Sequence, residues 1–151
     1  MKIIVDERTI PFSEVKLDEI FHPIRNPITN QIFIKISPLN GSHKKVNSIN
    51  LTNGLLYNFE NINVMTELLK AKLNIKITFD LETIERIFTN FYDVNPGEIF
   101  LLKNNWFIKI EGFCTESNVL NALDLIHKNI ISINKSDLVQ KVDAELIVEK
   151  I

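Results

Sequence analysis

The sequence predicts a mainly β protein made of two tandem β-meander modules, SH3-like or small-barrel in character. The tetrapeptide Phe-Ile-Lys-Ile occupies residues 33–36 and again residues 107–110. Fourteen residues after each of these Phe residues, an Asn-containing apolar segment begins, at 47–51 and at 121–125. Apolar and polar residues then alternate towards the end of each copy, which is typical of strands. A tandem duplication of one small module accounts for all three observations.

The composition indicates a globular chain without a strong charge preference for its partners. Apolar residues make up 45% and charged residues 24%, which excludes a disordered class. A net charge of −2 gives no global attraction to nucleic acid or to an anionic membrane. Residues 1–77 hold 10 Lys/Arg against 7 Asp/Glu, whereas residues 78–151 hold 7 against 12. This asymmetry favours contact between the halves, or it reflects drift on two solvated surfaces.

The single cysteine and the absence of targeting signals predict a cytoplasmic protein. Cys114 has no partner for an intrachain disulfide, which suits a reducing compartment. The first residues turn acidic at Asp6, unlike a signal peptide. No apolar run approaches the roughly 18 residues that span a bilayer, so we expect no membrane partner.

Each module is predicted to begin with a short helical or turn segment followed by a strand. Residues 12–21 match residues 91–100 without a gap, with five identities. A β-branched run at residues 2–5 precedes the first copy and predicts an edge strand. The next hairpin has eleven tip residues in the first copy and six in the second. In the second copy we predict Asn104-Asn105 as its two-residue turn.

The later elements complete the meander. Strands are predicted at 33–37 and 106–111, with loops at 38–45 and 112–117. Thr52-Asn53-Gly54 predicts a type I′ hairpin turn before a returning strand. The last element of each copy alternates like a strand, but Glu67 to Lys72 also has high helix propensity, so a helix stays an alternative. Residues 78–90 predict a short helical linker between a first module, 1–77, and a second, 91–151.

These segments resemble small β proteins encoded by phages and prophages of low-G+C bacteria. Their theme is a Gly-Asp-Val-Phe-like strand, a Lys-Ile strand and an Asn-Ala-Val-Asn-Leu-x-x-Gly-like hairpin. The matching positions here are 19–21, 33–36, 47–54 and the continuation to Phe59 in copy one, and 97–100, 107–110 and 121–125 in copy two. Copy two differs from this theme where Lys128 replaces the hairpin Gly, and copy one differs from it at Leu17-Asp18.

The resemblance implies a β fold of phage origin and carries no catalytic residues. It implies a non-catalytic accessory protein in the bacterial host's cytoplasm that binds a host protein, including as an inhibitor of a defence system. A nucleic-acid-binding small barrel that uses the first module is the first alternative. A small enzyme or small-ligand-binding protein without a recognisable motif is the second. A homodimer through exposed sheet edges is also left open.

No residue pattern indicates catalysis, a cofactor or a metal. The three histidines, His22, His43 and His127, are predicted on the surface because no Cys or His stands near them at ligand spacing. Cys114 is predicted as a half-buried structural thiol, since no activating base is apparent. With four glycines in the chain, a phosphate-cradling loop is not expected.

Two groups of residues are candidates for interaction. Arg25, His43, Lys44 and Lys45 form a predicted basic patch in the first module. Phe33 and Phe59 nearby are predicted as core, with base stacking as the alternative. In the second module, Asn104, Asn105 and Trp106 surround a predicted hairpin tip, where Trp106 either anchors a partner or closes the module's core.

Overall fold

The computed structural model describes residues 9–24, 31–41, 44–75 and 88–150, and these form two antiparallel sheets. The first half of the chain contributes β1 (Thr9–Pro11), β2 (Ile20–Pro23), β3 (Phe33–Asn40), β4 (Lys45–Asn50), β5 (Leu56–Tyr57) and β6 (Met65–Ile75). The second half contributes β7 (Phe88–Asn90), β8 (Ile99–Leu102), β9 (Asn105–Cys114), β10 (Val119–Asp124), β11 (Ile130–Ile131), β12 (Leu138–Lys141) and β13 (Ala144–Lys150). A single 3₁₀ turn follows β1 and another follows β7.

The prediction of a mainly β fold is confirmed. The first sheet has the order β1-β6-β2-β3-β4-β5, with β13 also paired to β6, and the second has β11-β10-β9-β8-β12-β7. Neither order closes into a barrel through the strands that the structure describes, and the described ranges contain no α-helix. The helix predicted within the linker 78–90 lies almost wholly outside the described residues, and the last three linker residues, Phe88–Asn90, form β7. The edge strand predicted at 2–5 also lies outside them.

The last element of each module is a strand, so the helical alternative is wrong. β6 runs without interruption from Met65 to Ile75. Its helix-favouring residues alternate between faces because cross-strand pairing on both sides overrides a weak local propensity. The corresponding stretch of the second half is divided into β12 and β13.

The two halves, here called the N-terminal module (9–75) and the C-terminal module (88–150), make the same local hydrogen bonds. The Lys35 ammonium donates to the Phe12 carbonyl at 2.9 Å, and that of Lys109 donates to the Phe91 carbonyl at 3.0 Å. Each ammonium also lies over the ring of the same Phe. The repeated tetrapeptide thus supplies a strand, and its Lys side chain holds the 3₁₀ turn through a hydrogen bond and a contact with the Phe ring. The domain boundaries themselves stay a prediction.

Each module has its own small core and contributes to a shared one. Aromatic rings fill the separate cores: Phe12, Phe21, Phe33 and Phe59 in one, and Phe91, Phe100 and Phe107 in the other. The shared core is aliphatic and combines Ile34, Ile36 and Ile49 with Ile108, Ile110 and Leu123. Successive strand residues face opposite sides of a sheet, so Phe33 points into its own module and Ile34 into the shared core. Burial on both faces accounts for the near-continuous apolar tetrapeptides.

A two-stranded ribbon joins the modules across a pseudo-two-fold axis. β6 and β13 pair antiparallel with Leu73 opposite Leu146, and these residues occupy equivalent positions in their modules. On either side, the Ala71–Val148 pair corresponds to the Ile75–Ala144 pair. The alternating pattern at the end of each copy therefore serves pairing between modules.

Three local predictions are wrong by a small shift. The two-residue turn in the second module is Lys103-Asn104, since Leu102 pairs with Asn105 and both turn residues have positive φ. In the predicted Thr52-Asn53-Gly54 turn of the first module only Gly54 has positive φ, and four residues separate Asn50 from Leu55, so the turn is not type I′. β3 and β9 extend through Asn40 and Cys114, past the strand ends predicted at 37 and 111. Each has an irregularity in its pairing with the next strand that sequence alternation does not reveal.

Candidate functional site

The structure describes two of the four residues of the predicted basic patch, Lys44 and Lys45. Arg25 and His43 lie outside the described residues. Lys44 reaches across to the other module, where its ammonium lies 3.1 Å from Oε1 of Glu111. The same carboxylate oxygen accepts the Leu56 amide at 2.7 Å, so it ties the modules together. Lys45 is exposed at the start of β4.

The three candidate residues at the hairpin tip of the second module differ in their exposure. Asn104 and Asn105 are exposed in and after the turn. Trp106 is partly buried against the shared core, and its carbonyl accepts the Leu125 amide at 2.9 Å. This packing favours the core-closing role over the anchoring role for Trp106.

Two expectations about reactive residues are corrected. His22 is not a surface loop residue but part of β2, with Nε2 2.8 Å from Oε2 of the buried Glu67. Cys114 is exposed at the end of β9, not half-buried, because β9 extends beyond its predicted end. His127 is exposed beside Asp124, while His43 lies outside the described residues. Within the described ranges, no three His, Cys, Asp or Glu side chains are grouped as metal ligands.

The aromatic residues considered for base stacking are core residues. Phe33 and Phe59 are buried and pack edge to face, with ring centroids 5.1 Å apart. Tyr57 lies against both rings and is the member of this group that reaches solvent.

The C-terminal module has a shallow surface groove, here called the Tyr92 groove. It is an open depression of about 210 Å³. Its lining consists of Phe91, Tyr92, Lys109, Ile110, Gly112, Val119, Asn121 and Lys135. Tyr92 is 67% exposed and Val119 is 41% exposed, so two large apolar side chains face water around one depression. Exposed aromatic surface of this kind is typical of protein interaction sites.

Local structure explains why Tyr92 stands out from the surface. The 3₁₀ turn Phe91–Asp93 buries Phe91 and turns the next side chain outward. The backbone is fixed from both sides, because the Tyr92 amide donates to the Lys135 carbonyl at 3.1 Å and the Tyr92 carbonyl accepts Lys109 Nζ at 3.3 Å. The ring is thus presented by a rigid segment.

The groove carries cationic groups and no carboxylate in its lining. Burial lowers the pKa of Lys109, while Asp93 and Glu98 act in the opposite direction and Lys135 adds to the lowering. The ammonium of Lys135 lies 5.9 Å from the centre of the Tyr92 ring, within the range of a cation–π contact. The groove therefore combines an aromatic ring, an aliphatic side chain and two ammonium groups.

The N-terminal module lacks this combination at equivalent positions. Ser13 corresponds to Tyr92, since its amide donates to the Ile62 carbonyl as that of Tyr92 does to Lys135. Lys45 replaces Val119 at the equivalent place in the strand pairing. None of the interaction candidates predicted from the sequence lines this groove, although the sequence carries a signal for it. The signal was the Phe-Tyr-Asp against Phe-Ser-Glu difference at residues 91–93 and 12–14.

The turn before Lys128 contains an acid-sensitive carboxylate. Asp124 accepts the Ile126 and His127 amides at 2.9 Å each, and its second oxygen lies 3.0 Å from His127 Nδ1. Burial acts to raise the pKa of Asp124. The bonds from His127 and Ile126 outweigh burial, so this pKa lies below its usual value. The equivalent residue, Asn50, caps the Thr52 amide with its side-chain oxygen.

We expect Asp124→Asn to cost about 1 kcal/mol at pH 7, and progressively less as the pH falls below about 4. A carboxyl whose pKa is lowered by folding stabilises the fold above its unfolded pKa. That contribution is lost as the pH falls through the folded pKa. Urea midpoints measured between pH 7 and pH 3 test this, with Glu116→Gln, an exposed carboxylate, as control. If the urea midpoints of Asp124→Asn and the wild type differ by the same amount at every pH in this range, the assignment is wrong.

Comparisons of the chain with protein-family models, with curated proteins and with solved structures found no match in any of the three. In the part of the chain that the structure describes, no helix has the length and apolar character needed to cross a bilayer.

Proposed function

We propose that the chain is a non-catalytic binding protein of phage type, active in the cytoplasm of a bacterial host, where it binds a host protein. The observation that carries this proposal is the Tyr92 groove. The centres of protein interfaces are enriched in Tyr, and Tyr92 is the exposed aromatic residue of this groove. An inhibitor of a host defence system is the role that the phage resemblance favours. Within this proposal each module is an SH3-like variant, with its 3₁₀ turn packed on a small antiparallel sheet.

The chemistry of the groove selects an acidic segment with an apolar side chain as its ligand. The ammonium groups of Lys109 and Lys135 attract carboxylates, and the faces of Tyr92 and Val119 offer contact for an aliphatic or aromatic side chain. Lys109 is already held by two carbonyls, so Lys135 is the cation with freedom to reorient towards a partner.

The test is capture from a lysate of a low-G+C bacterium, with variants that separate the groove from the rest of the surface. Tyr92→Ser introduces the residue found at the equivalent position of the N-terminal module. Lys135→Glu reverses one charge. We expect each to weaken binding of the captured protein at least about tenfold, measured with the purified partner by calorimetry.

The matched control is Leu17→Ser, which removes an exposed apolar side chain from the other module and should leave binding unchanged. Capture that survives both groove variants would contradict the Tyr92 groove as the site. If no protein is enriched over an empty matrix, the binding-protein function itself is wrong.

A nucleic-acid-binding role is the second candidate, and exposed Tyr57 is the observation that favours it. Tyr57 presents part of its ring on the module with the positive charge balance, opposite Ser48 of β4. Binding of this kind weakens steeply with salt because it releases counterions. An affinity for single-stranded DNA or RNA that is unchanged between low and high salt would exclude it.

A further inference from the structure

The contact between the modules contains two junctions that the pseudo-two-fold axis relates. Gly54 is equivalent to Lys128: their amides donate to the carbonyls of Asn50 and Asp124, at 2.8 and 2.9 Å. Gly97 is equivalent to Asp18: their amides donate to the carbonyls of Lys109 and Lys35, both at 2.8 Å. All four residues have positive φ. We call Gly54 with Gly97 the glycine junction, and Asp18 with Lys128 the charged junction.

At the glycine junction the backbones of the two modules approach each other more closely than any residue with a Cβ would allow. A Cβ on Gly54 would lie 2.4 Å from the Gly97 nitrogen and 2.5 Å from the Lys109 carbonyl oxygen. A Cβ on Gly97 would lie 2.9 Å from the Asn53 carbonyl carbon. Contacts of this length do not occur between backbone and Cβ atoms. The Glu111 amide, donating to the Gly54 carbonyl at 2.9 Å, completes the junction.

The charged junction has a different geometry by necessity. Asp18 and Lys128 both carry a Cβ, so their backbones cannot approach as Gly54 and Gly97 do. Their opposite charges attract instead: burial lowers the pKa of Lys128, while Asp18 and Asp124 raise it. The ammonium thus lies in a partly desolvated place beside the apolar depression formed by Ile20, Leu125 and Leu146. We call the backbone approach at the glycine junction the close geometry, and the larger separation that two Cβ atoms require at the charged junction the wide geometry.

We infer that the contact face of each module is a pairing surface for an unlike module, and that the two junctions prevent like modules from pairing. A true two-fold pair needs the same junction at both ends. Two N-terminal modules would place Asp18 against Gly54 twice, and two C-terminal modules would place Lys128 against Gly97 twice. In either like pair, the close geometry would force a Cβ into a steric clash at both ends. The wide geometry would lack the attraction between Asp18 and Lys128. The partner that this surface fits is the unlike module, from the same chain or from a second copy.

The experiment uses the full chain with a protease recognition sequence inserted between residues 80 and 81, cleaved after folding. Isotopically labelled and unlabelled cleaved samples are mixed, allowed to exchange and examined by native mass spectrometry. We expect complexes of one N-terminal with one C-terminal fragment, and like pairs at least about tenfold below their statistical share. Like pairs at the statistical share would overturn the inference. Fragments that separate without pairing would also overturn it, since the specificity would then depend on the connection.

A second variant, Asp18→Gly with Lys128→Gly, tests the junctions themselves. Both positions have positive φ, so glycine fits their backbone without strain. With four glycines at the junctions, every pairing can use the close geometry, and we expect like pairs to rise at least about tenfold. Pairing that stays strictly unlike in this variant would show that other contacts determine it and would overturn the role of the junctions.

Discussion

Replacing Gly54 with alanine is expected to lower the free energy of unfolding by about 3 kcal/mol. The residue has a φ of +75°, where a side chain is strained by about 1 kcal/mol on its own. The added Cβ would also overlap the Gly97 nitrogen and the Lys109 carbonyl oxygen. Both atoms belong to paired backbone, so neither moves without breaking the contact between the modules. Equilibrium urea unfolding followed by tryptophan fluorescence measures the change.

Gly112→Ala is the matched control for this substitution. Its φ is not in the left-handed region, and the one neighbour near its Cβ is a methyl group of the exposed Val119, at 3.0 Å. That side chain can shift, so we expect a change below about 1 kcal/mol. Equal effects of the two substitutions would mean that the Gly54 contact does not stabilise the protein.

Replacing Asn47 or Asn121 with aspartate is expected to cost about 2 kcal/mol each. The Asn47 side chain accepts the Phe59 amide at 2.8 Å and donates to the Phe59 carbonyl at 3.0 Å. Asn121 makes the same pair of bonds with Ile133, at 2.8 and 2.9 Å. Aspartate keeps the acceptor but loses the donor, and its charge then faces a carbonyl oxygen. The measurement is again the free energy of unfolding in urea, at pH 7.

Asn61→Asp provides the control for the amide substitutions. The Asn61 side-chain oxygen accepts the Asn63 amide at 3.0 Å, a role that a carboxylate fills as well. We expect a change within about 0.5 kcal/mol for this exposed position. If Asn61→Asp is as damaging as Asn47→Asp, the loss reflects added charge and not the missing donor.

These asparagines show how far the sequence determined the fold. The Asn-containing apolar segments at 47–51 and 121–125 located β4 and β10, because burial on both faces constrains almost every position. They did not reveal why the first Asn recurs. The answer is a bidentate bond to a residue twelve positions later, which replaces ladder pairing where β5 and β11 are only two residues long. A side chain that substitutes for backbone pairing leaves no periodic signal.

The candidate site was harder to predict, for a physical reason. Tyr92, Val119 and Lys135 are separated along the chain and meet only because the 3₁₀ turn packs beside β9 and β10. Lys44 looked like a free cation in the sequence because its partner, Glu111, lies 67 residues away in the other module. Charge patterns read along the chain therefore reveal neither the ion pair of Lys44 with Glu111 nor the groove.

The β6–β13 ribbon also has a consequence for how the protein is made. β13 begins about 70 residues after β6 ends. At bacterial elongation rates, those residues take roughly 4 to 14 seconds to synthesise. During that interval the outer half of β6, with Ala71 and Leu73 alternating along it, has an unpaired edge near the ribosome. An unpaired edge of this kind can pair with another chain, so we expect the protein to be most prone to aggregation during this interval of its synthesis.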